Sequence, residues 1–133
     1  MPEPVVIDTS ALYALASATD EFHLRARELY EHLLDRESPL HTTSYVLVET
    51  AGLVHRRLGF AVLKELFESI LPIIQVHWVE TMVHQQAWNL MLERQGTRLT
   101  LVDSSVVVVA RTLQAVVFGF DEDFRQEGLV VIS

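Results

Sequence analysis

Apolar residues along the chain follow two rhythms. Short β-branched runs alternate with stretches where Leu, Val and Ala recur every three or four residues. Residues 5–7 (Val-Val-Ile), preceded by Pro4, have the pattern of a short buried strand. Thr9 or Ser10 can cap the helix that follows, where Ala11, Leu12 and Leu15 repeat at helical spacing. After a polar break at 17–21, residues 22–36 are rich in helix formers, with Leu24, Leu29, Leu33 and Leu34 on one face, and Ser38-Pro39 ends them. Residues 40–42 suit a short strand. Thr43 or Ser44 then caps a helix to about residue 57, faced by Leu47, Ala51, Val54 and Leu58 and stopped by Gly59. Residues 60–70 form an amphipathic helix on Val62, Leu63, Leu66, Phe67 and Ile70, broken by Pro72. A strand over 73–79 and a helix over 80–95 follow, the latter with Glu80 at its start, Arg94 at its end and Gly96 just beyond. The valine run 106–109 is open to two readings: propensity favours strand, while the hydroxyls before it and Arg111 after it allow a buried helix. Residues 115–120 read as a strand ending at Asp121, 122–127 as a polar turn, and 129–132 as a last strand.

Strands that alternate with helices imply an α/β fold with a largely parallel sheet. At 133 residues, half of them hydrophobic, the chain suits one domain over 1–133 with a substantial core. Cysteine is absent, which excludes disulfides, thiolate metal sites and cysteine nucleophiles. No apolar stretch reaches the ~20 residues of a membrane span. The opening Met1-Pro2-Glu3-Pro4 lacks the basic and apolar parts of a signal peptide, so a cytoplasmic location without membrane attachment is expected. The net charge of −8 argues against a nucleic-acid partner, because Lys and Arg contacts to phosphate supply most of that affinity. Divalent cations in an acidic pocket would reverse the local sign.

Most of the 18 acidic residues lie among other polar residues, as solvated surface charge. Four do not. Asp8 follows Val-Val-Ile, Glu49 interrupts an apolar helix face, Asp103 stands between Leu99-Thr100-Leu101-Val102 and the valine run, and Asp121 follows Val-Val-Phe-Gly-Phe. Burying an unpaired carboxylate costs several kcal/mol or forces protonation. Asp8 and Asp121 end strands, Glu49 lies early in a helix, and Asp103 would start another if the valine run is helical, so all four can converge beyond one end of the sheet. Such an all-oxygen set suits Mg²⁺ or Mn²⁺ rather than zinc, and these ions support phosphodiester hydrolysis.

At these residues the chain resembles the PIN-domain family, and within it the VapC-type toxins of toxin–antitoxin pairs. The resemblance rests on Val6-Ile7-Asp8-Thr9-Ser10-Ala11-Leu12, Val48-Glu49, Leu99-Thr100-Leu101-Val102-Asp103-Ser104 and Val117-Phe118-Gly119-Phe120-Asp121-Glu122-Asp123-Phe124. It implies a three-layer α/β/α fold with a four- to five-stranded, mainly parallel sheet, and a helical valine run. It further implies a Mg²⁺- or Mn²⁺-dependent endoribonuclease whose acids are Asp8, Glu49, Asp103 and Asp121, with a hydroxyl of Thr9 or Ser10 close by. The expected partners are RNA, a small antitoxin protein and a second copy of the chain. Two positions depart from the family pattern. Gly119 stands where many members carry Ser or Thr, which removes a hydroxyl near the acids. Asp123 stands where a His or other polar residue is frequent; it is either an outer carboxylate or an exposed turn acid.

The six histidines show no metal-ligand spacing, Trp78 and Trp88 suit core or dimer contacts, and Arg56, Arg57, Arg111 and Arg125 suit solvated positions better than RNA contacts. Two rival functions remain: a non-catalytic PIN-fold partner-binding module, and a small-molecule metal phosphatase.

Overall fold

Five strands pair wholly in parallel: β1 (Val5–Ile7), β2 (Leu40–Thr43), β3 (Gln75–His77), β4 (Val116–Phe118) and β5 (Val131–Ile132), in the order β3-β2-β1-β4-β5. The structure, a computed structural model, describes residues 2–133; Met1, where the signal-peptide reading begins, lies outside them. Parallel neighbours require crossovers, and helices supply them: α1 (Thr9–Ala16), α2 (His23–Asp35), α3 (Ser44–Leu58), α4 (Phe60–Ile70), α5 (Thr81–Glu93), α6 (Leu101–Leu113) and the short α7 (Asp123–Gln126). From β1 the chain steps outward to β2 and β3, then returns past β1 to β4 and β5. Right-handed crossovers then put α1 to α4 on one face and α5 and α6 on the other, giving three layers. The contacts of α1 with α2 and α3, and of α5 with α6, agree, while α3 also meets α6 beside the Thr43–Ser105 hydrogen bond at the carboxyl end of β2. The inner strands β2, β1 and β4 are completely buried, as a sheet covered on both faces requires. No helix among the described residues is long and apolar enough to cross a membrane.

The valine run lies inside α6. Ser104, Ser105, Val106, Val107, Val109 and Ala110 are all buried, because α6 packs on α5, α3 and strands β1, β2 and β4. Burial on nearly every side accommodates an apolar helix that no amphipathic rhythm would reveal. A capping box starts it: the Thr100 hydroxyl accepts from the Asp103 N–H, and the Asp103 carboxylate accepts from the Thr100 N–H. Asp103 therefore sits in the first turn, two residues past the helix start.

Several expected boundaries move. The strand expected over 73–79 is confined to Gln75–His77, and the last strand to Val131–Ile132. The polar turn expected at 122–127 contains α7. The strand expected to reach Phe120 stops at Phe118. There the Phe120 N–H turns to the Ser10 hydroxyl (2.9 Å) instead of continuing a ladder. The first helix is capped by Asp8, whose carboxylate accepts from the Ser10 N–H, and not by Thr9 or Ser10, which are already helical. Arg111 and Arg94 both bind Glu127, and Arg125 binds Glu122, so these cations pin local structure.

Candidate active site

The direction of the chain reverses between β1 and β4, and a crevice at the carboxyl ends of these strands is the favoured ligand position in a parallel sheet. An open cleft of about 660 Å³ lies near it, lined among others by Ser10, Glu49, Asp103, Asp121 and Asp123. Three of the four acids singled out in the sequence, Glu49, Asp103 and Asp121, thus share one cleft, together with Asp123. Asp8 is buried next to it, the first residue after β1 and only 3 % exposed.

Local structure holds each carboxylate. Asp8 Oδ2 accepts from the Ser10 hydroxyl (2.9 Å) and N–H (3.3 Å), while its Oδ1 is buried without a hydrogen-bond partner. Burial, and then the charge of Asp103, push the Asp8 carboxyl from its ordinary 3.8 up to about 7. Asp103 is half-buried in its capping box. Burial raises its pKa, the Thr100 hydrogen bonds oppose that rise, and Asp121 and Glu49 add to it. Asp103 thus links the set: Asp121 and Glu49 act on it, and it acts on Asp8. Asp121 lies in the loop after β4, where its Oδ1 accepts from the Asp123 N–H (2.9 Å). The Asp123 carboxyl is raised by desolvation and by Asp121, and lowered by Arg98. Glu49 is half-buried, with Val46, Leu47 and Thr50 buried around it but Val48 71 % exposed, so its apolar sequence context overstated its burial.

Among the described residues, no three His, Cys, Asp or Glu side chains are drawn together tightly enough to enclose an ion as they stand. Asp8, Asp103 and Asp121 are each turned toward a backbone N–H near them in sequence. The chemistry of the set nevertheless fits a hard cation. A buried carboxylate oxygen without a donor calls for a counter-charge, and the oxygens around it suit Mg²⁺ or Mn²⁺.

Of the two hydroxyls expected near the acids, Ser10 bridges Asp8 and the Phe120 N–H, whereas the Thr9 hydroxyl is buried without a partner. A Cβ at Gly119 would lie 3.1 Å from Asp8 Cβ and 3.2 Å from the Ser10 hydroxyl. The absent side chain thus leaves room for the Ser10 bridge. Sequence reasoning passed over Thr100, Arg98, Tyr13, Phe22 and Phe120, all of which line the cleft. Thr100-Leu101-Val102-Asp103 carries the spacing of a capping box and would have located the helix start. Arg98, Tyr13 and Phe22 reach the cleft only through the fold and left no local signal. Tyr13 in turn lies under the Arg57 guanidinium, 5.5 Å from the ring centre.

A parallel sheet with carboxylates gathered at its switch point places the chain among α/β proteins that hold a polar site at the carboxyl edge of the strands. Within that class the chain belongs to the PIN-domain family, whose sequence model matches residues 5–128. It is 28 % identical over 131 residues to the 23S rRNA-specific endonuclease VapC20 of Mycobacterium tuberculosis, covering 96 % of this chain and 97 % of that one. The crystal structure of Mycobacterium tuberculosis VapC20, a sarcin-ricin-loop-cleaving toxin, matches with a TM-score of 0.83 at 27 % identity, over 95 % of this chain and 96 % of that one. DNA-bound VapBC from Salmonella typhimurium shares the fold, with a TM-score of 0.71 at 18 % identity over 99 % and 98 % of the two chains.

Proposed function

We propose that this chain is a divalent-metal-dependent endoribonuclease, a single nuclease domain over 1–133 that serves as the toxin of a toxin–antitoxin pair. The observation that carries the proposal is Asp8: a buried carboxylate with one unpartnered oxygen, beside a cleft that also gathers Glu49, Asp103 and Asp121. The family membership and the likeness to an rRNA endonuclease support RNA as the substrate. The toxin–antitoxin complexes among its structural neighbours support control by a small antitoxin protein; the cytoplasmic homodimer in this reading comes from the family resemblance alone.

Asp8, Asp103 and Glu49 would hold Mg²⁺ or Mn²⁺, and Asp121 would complete the set or serve a second ion. When bound, the cation lowers the pKa of the attacking water and offsets charge on the phosphate. The chain's own residues position these parts. Ser10 fixes the rotamer of Asp8 through its hydroxyl, and the Thr100 N–H fixes that of Asp103. Asp123, next to Asp121, adds negative charge at the outer side of the set. Arg98 is the only Lys or Arg lining the cleft among the described residues, and it is available to an RNA phosphate. Water attacks phosphorus, the ester oxygen leaves, and no covalent link to the protein forms. Without the cation the cleft repels RNA, so RNA binding rises steeply with the divalent ion.

The test is cleavage of RNA by the pure protein with Mg²⁺ or Mn²⁺, against the same mixture in EDTA. Cleavage that requires the ion is expected. Metal-dependent turnover of a phosphomonoester with no RNA cleavage would instead favour a phosphatase, and inactivity on both would favour a binding module.

A further inference from the structure

The rim of the acidic cleft carries an aromatic stack that none of the metal chemistry needs. Phe22 lies face to face on Phe120, with ring centres 4.5 Å apart and planes within 7°. Phe120 in turn meets the fully buried Phe118 edge-on, at 6.2 Å and 68°, so the core supports the stack from below. Both Phe22 and Phe120 line the cleft. Phe22 stands in the polar stretch before α2, where its N–H donates to Asp20 Oδ1 (2.9 Å), and yet it is 39 % exposed. One ring face is covered by Phe120, and the exposed part of Phe22 is open to a ligand in the cleft. The stack is also tied to the acids: the Phe120 N–H donates to the same Ser10 hydroxyl that donates to Asp8.

We propose that the Phe22–Phe120 stack is a base platform, on which an unpaired nucleobase of the RNA lies against Phe22 while its backbone phosphate enters the cleft of Glu49, Asp103 and Asp121. A flat apolar ring beside carboxylates suits a nucleobase better than it suits the sugar-phosphate chain. Aromatic stacking is the ordinary way in which proteins hold bases of single strands, and it tolerates any sequence. The platform adds affinity that an acidic cleft with a single Arg does not supply through phosphate contacts. It sets a structural preference, for RNA with an unpaired base next to the cut. The proposal rests on the nuclease reading of the cleft.

Steady-state kinetics of wild type, Phe22→Leu and Phe22→Trp separate the two claims. The substrates are a single-stranded RNA bearing 2-aminopurine next to the cut and the same RNA with an abasic ribose at that position, each with Mn²⁺. Phe22→Leu is expected to raise KM for the 2-aminopurine RNA by roughly tenfold with kcat nearly unchanged. It should also abolish the quenching of 2-aminopurine on binding, while KM for the abasic RNA, which has no base to stack, is the same in mutant and wild type. Phe22→Trp keeps an aromatic face and restores both KM and quenching. An unchanged KM and quench in Phe22→Leu, with wild type active, would overturn the platform, leave the nuclease standing, and assign the exposed ring to a protein partner. Absence of Mn²⁺-dependent RNA cleavage by wild type would refute the nuclease reading and the platform together.

Discussion

Replacing Asp8 by Asn removes the charge from a carboxylate that is 3 % exposed, while an oxygen remains to cap α1. Burial, and next the charge of Asp103, raise the folded-state pKa of Asp8 from 3.8 to about 7. At 1.36 kcal/mol per pKa unit, that gap corresponds to at most about 4 kcal/mol. The direction follows from linkage. The native state holds the Asp8 proton more tightly than the unfolded chain does. The resulting stability is complete below the unfolded value and is lost as pH rises through about 7. The Asn amide adds its own cost, about 1–3 kcal/mol for a buried unpaired donor, but that cost does not vary with pH. The informative quantity is therefore the stability of Asp8→Asn minus that of wild type, measured by denaturant unfolding in EDTA. Between about pH 4 and about pH 8 this difference should move by about 2–4 kcal/mol in favour of the mutant. A difference that stays constant with pH, or moves the other way, would refute the claim that Asp8 is buried and lacks a counter-charge in the metal-free protein.

Asp103→Asn keeps an acceptor for the Thr100 N–H and hence the start of α6. RNA cleavage should still fall by at least about a hundredfold while circular dichroism is unchanged, and a smaller loss would remove Asp103 from the metal set. Gly119→Ala places a methyl group 3.1 Å from Asp8 Cβ and 3.2 Å from the Ser10 hydroxyl. It should cost about 1–3 kcal/mol in unfolding experiments and lower the cleavage rate, whereas unchanged values would mean that the Ser10 bridge is not needed. Glu127→Gln breaks the ion pairs that join Arg94 and Arg111 to the turn after α7. It should cost about 1–2 kcal/mol at neutral pH, a value reduced by the solvent exposure of both arginines. The hydrogen bond from Arg94 is the main cause of the lowered Glu127 pKa, so this stability is present above the ordinary value of 4.5 and lost as pH falls through the lower folded value. The mutant and wild type should therefore converge in acid.

The alternating rhythm of the chain was enough to foresee the parallel sheet, and the limits of α4 at Phe60 and Ile70 fall where the apolar spacing and the flanking Gly59 and Pro72 put them. The valine run was not legible from propensity, because a helix buried on nearly all sides shows no amphipathic period; only the family resemblance pointed to helix. Asp8, Asp103 and Asp121 stood out as acids in apolar company, and the cleft contains or adjoins all of them. Asp8 both ends a strand and caps α1 through the Ser10 N–H, and the three consecutive polar residues Asp8, Thr9 and Ser10 offer equivalent cap chemistry in the sequence. The end of β4 was placed two residues too late, since the Ser10 hydroxyl that diverts Phe120 is distant in sequence. Arg98 and the Phe22–Phe120 stack belong to the same class: their roles depend on loops brought together by the sheet, and no local pattern encodes that.

The central claim, that Asp8 and the acids around it form a divalent-metal centre that cuts RNA, meets its most direct test in a single Mn²⁺ titration. Calorimetric binding and the initial rate of RNA cleavage are followed on the same preparations of wild type and Asp8→Asn. In wild type the rate should rise and saturate in step with occupancy. In Asp8→Asn both the affinity and the saturated rate should fall by at least about tenfold, with the fold intact by circular dichroism. RNA cleavage that persists undiminished in the mutant, or that proceeds in EDTA, would contradict the account.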